Sequence, residues 1–82
     1  PRIATFAGML GAVYYNDHAP PQVHLQGGGL DVVVDILDPR LPRGLLPRGM
    51  ARTILAWVRS RQPQLLANWE LARRALPPFK VT

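Results

Sequence analysis

The first half of the chain has the two-residue periodicity of β-strands. Residues 3–15 are apolar and uncharged, and Gly8 and Gly11 interrupt them, which is typical of a buried strand or a pair of strands. Residues 23–26 and 30–36 flank three consecutive glycines, which is the pattern of a β-hairpin. In the second of these segments apolar and acidic residues alternate. One face of the sheet is therefore expected to be core and the other polar.

The second half of the chain has the periodicity of helices. Residues 37–46 contain prolines and a glycine, which predicts a loop crossing from the sheet to the helices. Pro47 suits the first turn of a helix that runs to about Arg61. Pro63 breaks or restarts the helix, and apolar residues then recur at helical spacing up to Pro77. The apolar faces of the two helices include both tryptophans, Trp57 and Trp69.

These elements predict a single α+β domain over residues 1–82. A small antiparallel sheet of about three strands packs against two consecutive C-terminal helices. The expected regions are a sheet at 3–36, a Pro-rich loop at 37–46, two helices at 47–76 and a loose tail at 77–82. A chain of this size buries only about 60% of the surface that its unfolded form exposes. We therefore expect a homodimer or a small protein partner that covers an apolar face.

Charge is distributed unevenly along the chain. Residues 1–39 carry one basic and four acidic side chains, a net charge of −3, whereas residues 40–82 carry nine basic and one acidic, a net charge of +8. Such a basic half attracts phosphate or an acidic protein, although an arginine-rich solvated face gives the same pattern. On the first predicted helix three arginines line up opposite the apolar side, which makes them candidate binding residues for a partner or a nucleic-acid backbone: Arg48, Arg52 and Arg59.

Several classes of protein do not fit the composition. The chain has no cysteine, which removes disulfides, thiolate zinc sites and cysteine nucleophiles. No apolar run approaches the roughly 20 residues of a membrane span, and the first residues lack the apolar core of a signal peptide. We expect a bacterial cytoplasmic protein without a membrane contact, a metal or a cofactor.

One cluster of polar side chains could carry chemistry. Tyr15, Asn16, Asp17 and His18 precede a Pro-Pro turn, and His24 follows one short segment later. Tyr15 and Asn16 are candidate binding residues. The two histidines are candidate general acid and base, with Asp17 orienting His18, because their titration lies near neutrality. The alternative is a turn network that is only structural. The spacing of these residues matches no zinc pattern, so no metal site is predicted.

The order of motifs resembles a known family. The motifs are Tyr-Tyr-Asn-Asp-His-Ala-Pro-Pro at 14–21, Val-His-Leu at 23–25, Val-Asp-Ile at 34–36, Leu-Pro-Arg at 46–48 and Asn-Trp-Glu-Leu-Ala at 68–72. Together they are similar to the bacterial domain-of-unknown-function family number four-one-six-zero. The resemblance implies a small stand-alone protein that is encoded beside another small domain, as in toxin–antitoxin gene pairs. It therefore implies a partner more than a reaction.

The chain departs from the family pattern at two places. The family places two histidines on the strand after the turn, whereas the first of these positions is Gln22 here. Since glutamine is neither a base nor a good metal ligand, a two-histidine site on that strand is not expected. Pro39, Pro42 and added arginines replace the usual segment before the helix, which argues against a fourth strand there.

Three functions fit the sequence. The first is a binding module that pairs with itself or with a small acidic partner in a two-gene regulatory or toxin–antitoxin-like system, through the basic helix face or an exposed sheet edge. The second is a small metal-independent nuclease, in which His18 and His24 act as acid and base and the arginines hold phosphates. The third is a structural or DNA-binding accessory protein. The sequence leaves open whether the protein is an enzyme.

Overall fold

The protein forms four strands followed by two helices, in a computed structural model that describes all 82 residues. The strands are β1 (Arg2–Phe6), β2 (Met9–Ala12), β3 (Gln22–Gly27) and β4 (Leu30–Asp35), and the helices are α1 (Arg48–Ser60) and α2 (Gln62–Arg73). The sheet is antiparallel, with the order β1-β2-β3-β4. The predicted α+β class is confirmed, with one strand more than the expected three.

The additional strand comes from the first apolar segment, which folds as a hairpin. Ala7 and Gly8 form its two-residue turn with φ angles of 50° and 76°. Phe6 and Met9 pair directly on either side of this turn. Because both turn residues have positive φ, the turn has the twist that joins two antiparallel strands tightly. The segment before α1, residues 36–47, contains neither strand nor helix.

The second hairpin places core and polar residues on opposite faces, as the alternation predicts. Its turn is formed by Gly28 and Gly29, and Gly27 pairs with Leu30. Val32 and Val34 are buried beneath the helices, whereas Asp31 and Val33 are exposed on the other side. We call this second side, which no helix covers, the open face of the sheet.

The two helices are separated by a single residue. Helix α1 begins after Pro47, and Arg61, with φ −118° and ψ 19°, lies between the helices. Helix α2 ends at Arg73, three residues before the predicted end at Leu76. The reason is a Schellman motif, in which Ala75 adopts a φ of 59° and the N–H of Leu76 donates to the carbonyl of Leu71 at 2.9 Å.

The core lies between the helices and the inner face of the sheet. Trp57 and Trp69 are both buried there, as the sequence predicts. The ring of Trp57 stacks on Phe6 with centroids 4.7 Å apart, which ties α1 to the first hairpin. The largest fully buried side chains of the core are Ile3, Val13, Val23, Leu25, Val34, Ile36, Ile54, Val58, Leu65 and Asn68.

The C-terminal residues 77–82 are fixed to the domain, so the expectation of a loose tail is wrong. Asn68 is fully buried, and its amide donates to the carbonyl of Phe79 at 2.8 Å and accepts the N–H of Phe79 at 2.7 Å. Val81 is also buried and donates its N–H to the carbonyl of Ile3 at 2.7 Å. These contacts join residues distant in sequence, and no local pattern announces them.

Candidate binding surfaces

The turn between β2 and β3 is fixed to the end of helix α2. Asn16 adopts a φ of 57°, a left-handed conformation that asparagine tolerates, and its N–H donates to the carbonyl of Ala72 at 3.1 Å. The Oδ1 atom of Asp17 accepts the backbone N–H of His18 at 2.9 Å. The imidazole Nδ1 of His18 lies 3.1 Å from the carbonyl of Ala19. Asp17 therefore bonds the backbone of His18 and not its imidazole, whose partner is the carbonyl of Ala19.

A shallow cleft of about 580 Å³ opens between this turn and helix α2. The Arg73 guanidinium on its helix side donates to Glu70 at 3.1 Å and lies 5.7 Å from the ring centroid of Trp69. Two buried polar atoms at the cleft, Oδ2 of Asp17 and Nε1 of Trp69, have no hydrogen-bond partner. The cleft is lined by Asn16, Asp17, His18, Ala19, Pro21, Trp69, Glu70 and Arg73.

His24 has different neighbours from His18. It lies on β3 between the buried residues Val23 and Leu25, so its side chain is on the open face. Its Nδ1 is 3.7 Å from Oδ1 of Asp31, which is too long for a hydrogen bond. No contact joins the two histidines, and His24 does not line the cleft that contains His18. The structure therefore does not bring His18 and His24 together as an acid–base pair.

The open face carries an exposed tyrosine whose ring and hydroxyl are both held. The ring of Tyr14 meets His24 edge to face, with centroids 4.5 Å apart and an interplanar angle of 71°. Its hydroxyl accepts a hydrogen bond from the amide of Gln26 at 2.8 Å. Tyr14 nevertheless remains 39% exposed, and Val33, which pairs with His24 in the sheet, is 45% exposed. Tyr15, the next residue of the turn, is exposed, and its side chain makes no hydrogen bond.

The predicted arginines of helix α1 do not share one role. Arg48 and Arg52 are exposed and form no ion pair. Arg59 is also exposed, but its guanidinium donates to the carbonyl of Pro39 at 3.1 Å and so holds the Pro-rich loop against the helix. In that loop Asp38 bonds Arg40, and this hydrogen bond together with the attraction of the carboxylate raises the pKa of Arg40. Of the three predicted arginines, Arg48 and Arg52 thus remain available to bind a partner.

A comparison with known protein families shows the family of this chain. The family model described as Domain of unknown function (DUF4160) matches residues 8–70. The chain belongs to the DUF4160 family. No curated protein and no solved structure matches it.

The DUF4160 match includes the turn, both histidines and the arginines of helix α1, but it ends inside helix α2. Beyond the match lie Arg73 at the cleft and residues 77–82, which cover the β1 side of the sheet. Gln22, two residues before His24 on β3, lies on the same open face. This face therefore holds a single histidine.

Sequence reasoning missed two features of this DUF4160 chain. Arg61 lies 5.5 Å from the ring centroid of Trp57, and the available signal was their spacing of four residues, which places two side chains on the same side of a helix. A groove of about 410 Å³ separates the two hairpin turns from the start of helix α1, and its walls include Met50 and Thr53. The glycines Gly8 and Gly28 mark the two turns in the sequence, but no pattern in the sequence indicates the groove between these turns and helix α1.

Two further observations concern metal binding and membrane crossing. No group of three His, Asp or Glu side chains lies together in an arrangement that would hold a metal ion. Neither helix combines the length and the apolar character that crossing a membrane requires.

Proposed function

We propose that this protein is a protein-binding module that docks a small partner protein on the open face of its sheet. In this proposal the partner is encoded beside it, in a bacterial two-gene regulatory or toxin–antitoxin-like system, and the pair acts in the cytoplasm. The observation that carries the proposal is Tyr14, an exposed aromatic side chain that is already immobilised by His24 and Gln26.

An immobilised tyrosine is well suited to be the anchor of an interface. Tyrosine is enriched among the few interface residues that carry most of the binding free energy. Because the ring and hydroxyl of Tyr14 are held before binding, docking costs little additional side-chain entropy. Val33 extends the apolar surface beside it, at the neighbouring strand.

The size of the domain supports the same proposal. Only 21 of the 82 residues are buried, and the sheet has helices on one side only. A partner over the open face would bury the second side and add stability that a small domain lacks alone.

The nuclease alternative has no such support. It requires His18 and His24 within hydrogen-bond reach of one substrate, directly or through one water. His18 lines the cleft at helix α2, whereas His24 contacts Tyr14 on the open face. We therefore do not propose it as a second function.

Titration calorimetry with the purified product of the neighbouring gene tests the proposal. We expect a one-to-one complex that Tyr14→Ala weakens about 30-fold, the effect of losing an anchor worth roughly 2 kcal/mol. Tyr14→Phe keeps the ring and removes only the hydroxyl, so it should weaken the complex less. Leu45→Ala is the matched control, because Leu45 is an exposed apolar residue in the Pro-rich loop, away from the sheet.

Three results would overturn the proposal. One is a complex whose affinity changes less than twofold in Tyr14→Ala. Another is a homodimer that depends on Tyr14 and excludes the partner. The third is cleavage of RNA or DNA by the wild-type protein that His18→Ala abolishes, which would support the nuclease instead.

A further inference from the structure

Strand β4 ends the sheet with unpaired backbone groups. Gly27 and Leu30 pair across a two-residue turn, and the hydrogen-bonded pairs then recur at every second residue, at Val32 and Val34. The bond from the N–H of Ile36 to the carbonyl of Pro21, at 2.9 Å, continues this alternation. The residues between them therefore direct their N–H and C=O groups away from β3, and these residues are Asp31, Val33 and Asp35.

No backbone group of the chain bonds this edge. The backbone hydrogen bonds that lie outside the helices and strands involve none of these three residues. After the strand, the Oδ1 atom of Asp35 accepts the N–H groups of Leu37 and Asp38 at 2.9 and 3.0 Å, which stabilises a turn away from the edge. The opposite edge differs, because a register shift in β1 and the bond from Val81 to Ile3 interrupt its row of backbone groups. One edge is thus protected and the other open.

The charges along β4 select the class of segment that would pair with it. The side chains of Asp31, Val33 and Asp35 share the open face, so two carboxylates flank one valine. A second copy, paired antiparallel about Val33, would place Asp31 opposite Asp35 on both sides. Like charges directly opposite each other are destabilising, whereas opposite charges stabilise the pair. The charges therefore disfavour pairing of β4 with a second copy of itself and favour pairing with a basic strand.

We propose that the β4 edge binds an extended, basic segment of a partner protein by antiparallel strand addition. The segment carries an apolar residue opposite Val33 and a lysine or arginine opposite each aspartate. Main-chain hydrogen bonds supply the pairing, and the alternate side chains supply the specificity. This inference rests on the proposed function as a protein-binding module, and adds the chemistry of the partner segment.

Short peptides test the backbone pairing. The probe is acetyl-Thr-Lys-Thr-Val-Thr-Lys-Thr-amide, with binding followed by NMR shifts of the amides of β4. In antiparallel pairing the valine opposite Val33 directs its N–H to the protein, and the threonine beside it directs its N–H outward. We expect N-methylation of the valine to abolish binding and N-methylation of that threonine to preserve it. Equal affinity of the two methylated peptides would overturn the proposal, as would absence of binding.

Charge variants test the selection. The peptide with both lysines replaced by glutamate should bind more weakly than the basic one. In Asp31→Lys the affinity for the basic peptide should fall about three- to fivefold, the effect expected of one cross-strand charge pair. Glu70→Gln removes a carboxylate on helix α2 and is the matched control, with no change expected. A preference for the glutamate peptide, or a wild-type dimer joined through β4, would contradict the inference.

A substitution of Val33 separates this inference from the proposed function. Val33→Pro removes an N–H that β3 does not use, and proline is tolerated at such edge positions. Val33→Thr retains that N–H in a side chain of similar shape. If the partner complex is lost in Tyr14→Ala but unchanged in Val33→Pro, the binding module stands and the β4 edge inference fails. Loss of the complex in Val33→Pro and not in Val33→Thr, with thermal unfolding showing that both variants are folded, supports strand addition.

Discussion

At the scale of single residues, the side chains that stabilise this fold are not the ones that look reactive. Asn68 is the one fully buried polar side chain of the core, and it makes both of its hydrogen bonds to the backbone of Phe79. The sequence shows Asn68 only as a polar residue on a helix. Its partner lies 11 residues away in an irregular segment, so the contact depends on tertiary structure.

Asn68→Ala should therefore destabilise the protein and release its C-terminal residues. We expect a loss of about 1–3 kcal/mol in the free energy of unfolding, since two backbone groups of Phe79 lose their partners. Urea unfolding measures the loss, and faster hydrogen exchange at the N–H of Val81 reports the release. Gln64→Ala, on the same helix, should do neither. Similar losses in both variants would contradict the role of Asn68.

Two glycines should respond in opposite ways to replacement by alanine. A Cβ at Gly27 would lie 3.1 Å from the carbonyl oxygen of Gly8 and 3.3 Å from Cα of Met9, whereas a Cβ at Gly49 meets nothing within 4 Å. Because the atoms near Gly27 are mostly backbone, we expect Gly27→Ala to destabilise by about 1–3 kcal/mol. Gly49→Ala, within helix α1, should stabilise by up to about 1 kcal/mol. Thermal and urea unfolding of the pair check both signs, and a stabilised Gly27→Ala would refute the close approach.

At the scale of elements, hydrophobic periodicity predicts the buried faces of strands and helices. It misses a turn or a helix end that depends on the conformation of one residue. The alternation at β4 and the spacing of both tryptophans identify the buried faces, because burial acts on every second or every third to fourth residue. Periodicity does not decide whether residues 3–15 form one strand or two. The turn between β1 and β2 begins with Ala7, and alanine rarely adopts positive φ. The end of helix α2 was misplaced for the same reason, since Ala75 stands where glycine is usual.

Ala75→Gly should accordingly stabilise the protein. Ala75 holds a φ of 59° at the end of helix α2, a conformation that costs a residue with a Cβ about 1 kcal/mol more than glycine. We expect a gain near that value in the free energy of unfolding, measured in urea. The reference variant is Ala56→Gly at an exposed position inside helix α1, which should lose a similar amount. A loss in both variants would argue against the Schellman motif.

At the scale of the whole molecule, the sequence predicts the layers but not how the candidate residues meet. The turn from Tyr14 to Pro21 brings Asp17 and His18 to helix α2, and strand pairing brings His24 to Tyr14. Distances between such residues depend on how the turn packs, which neither composition nor spacing encodes. The arginines, in contrast, were placed correctly on the exposed side of helix α1, because helical spacing determines that side directly.

The unequal edges of the sheet also limit the size of any assembly built by strand pairing. The register shift in β1 and the bond from Val81 to Ile3 interrupt the β1 side, so a strand can pair along its whole length only beside β4. Open-ended polymers need two available sides on each unit, one to give and one to receive. A subunit with a single available side stops growth after one addition. The stoichiometry of strand pairing in this protein is thus set by its C-terminal residues, on the opposite side of the sheet from the added strand.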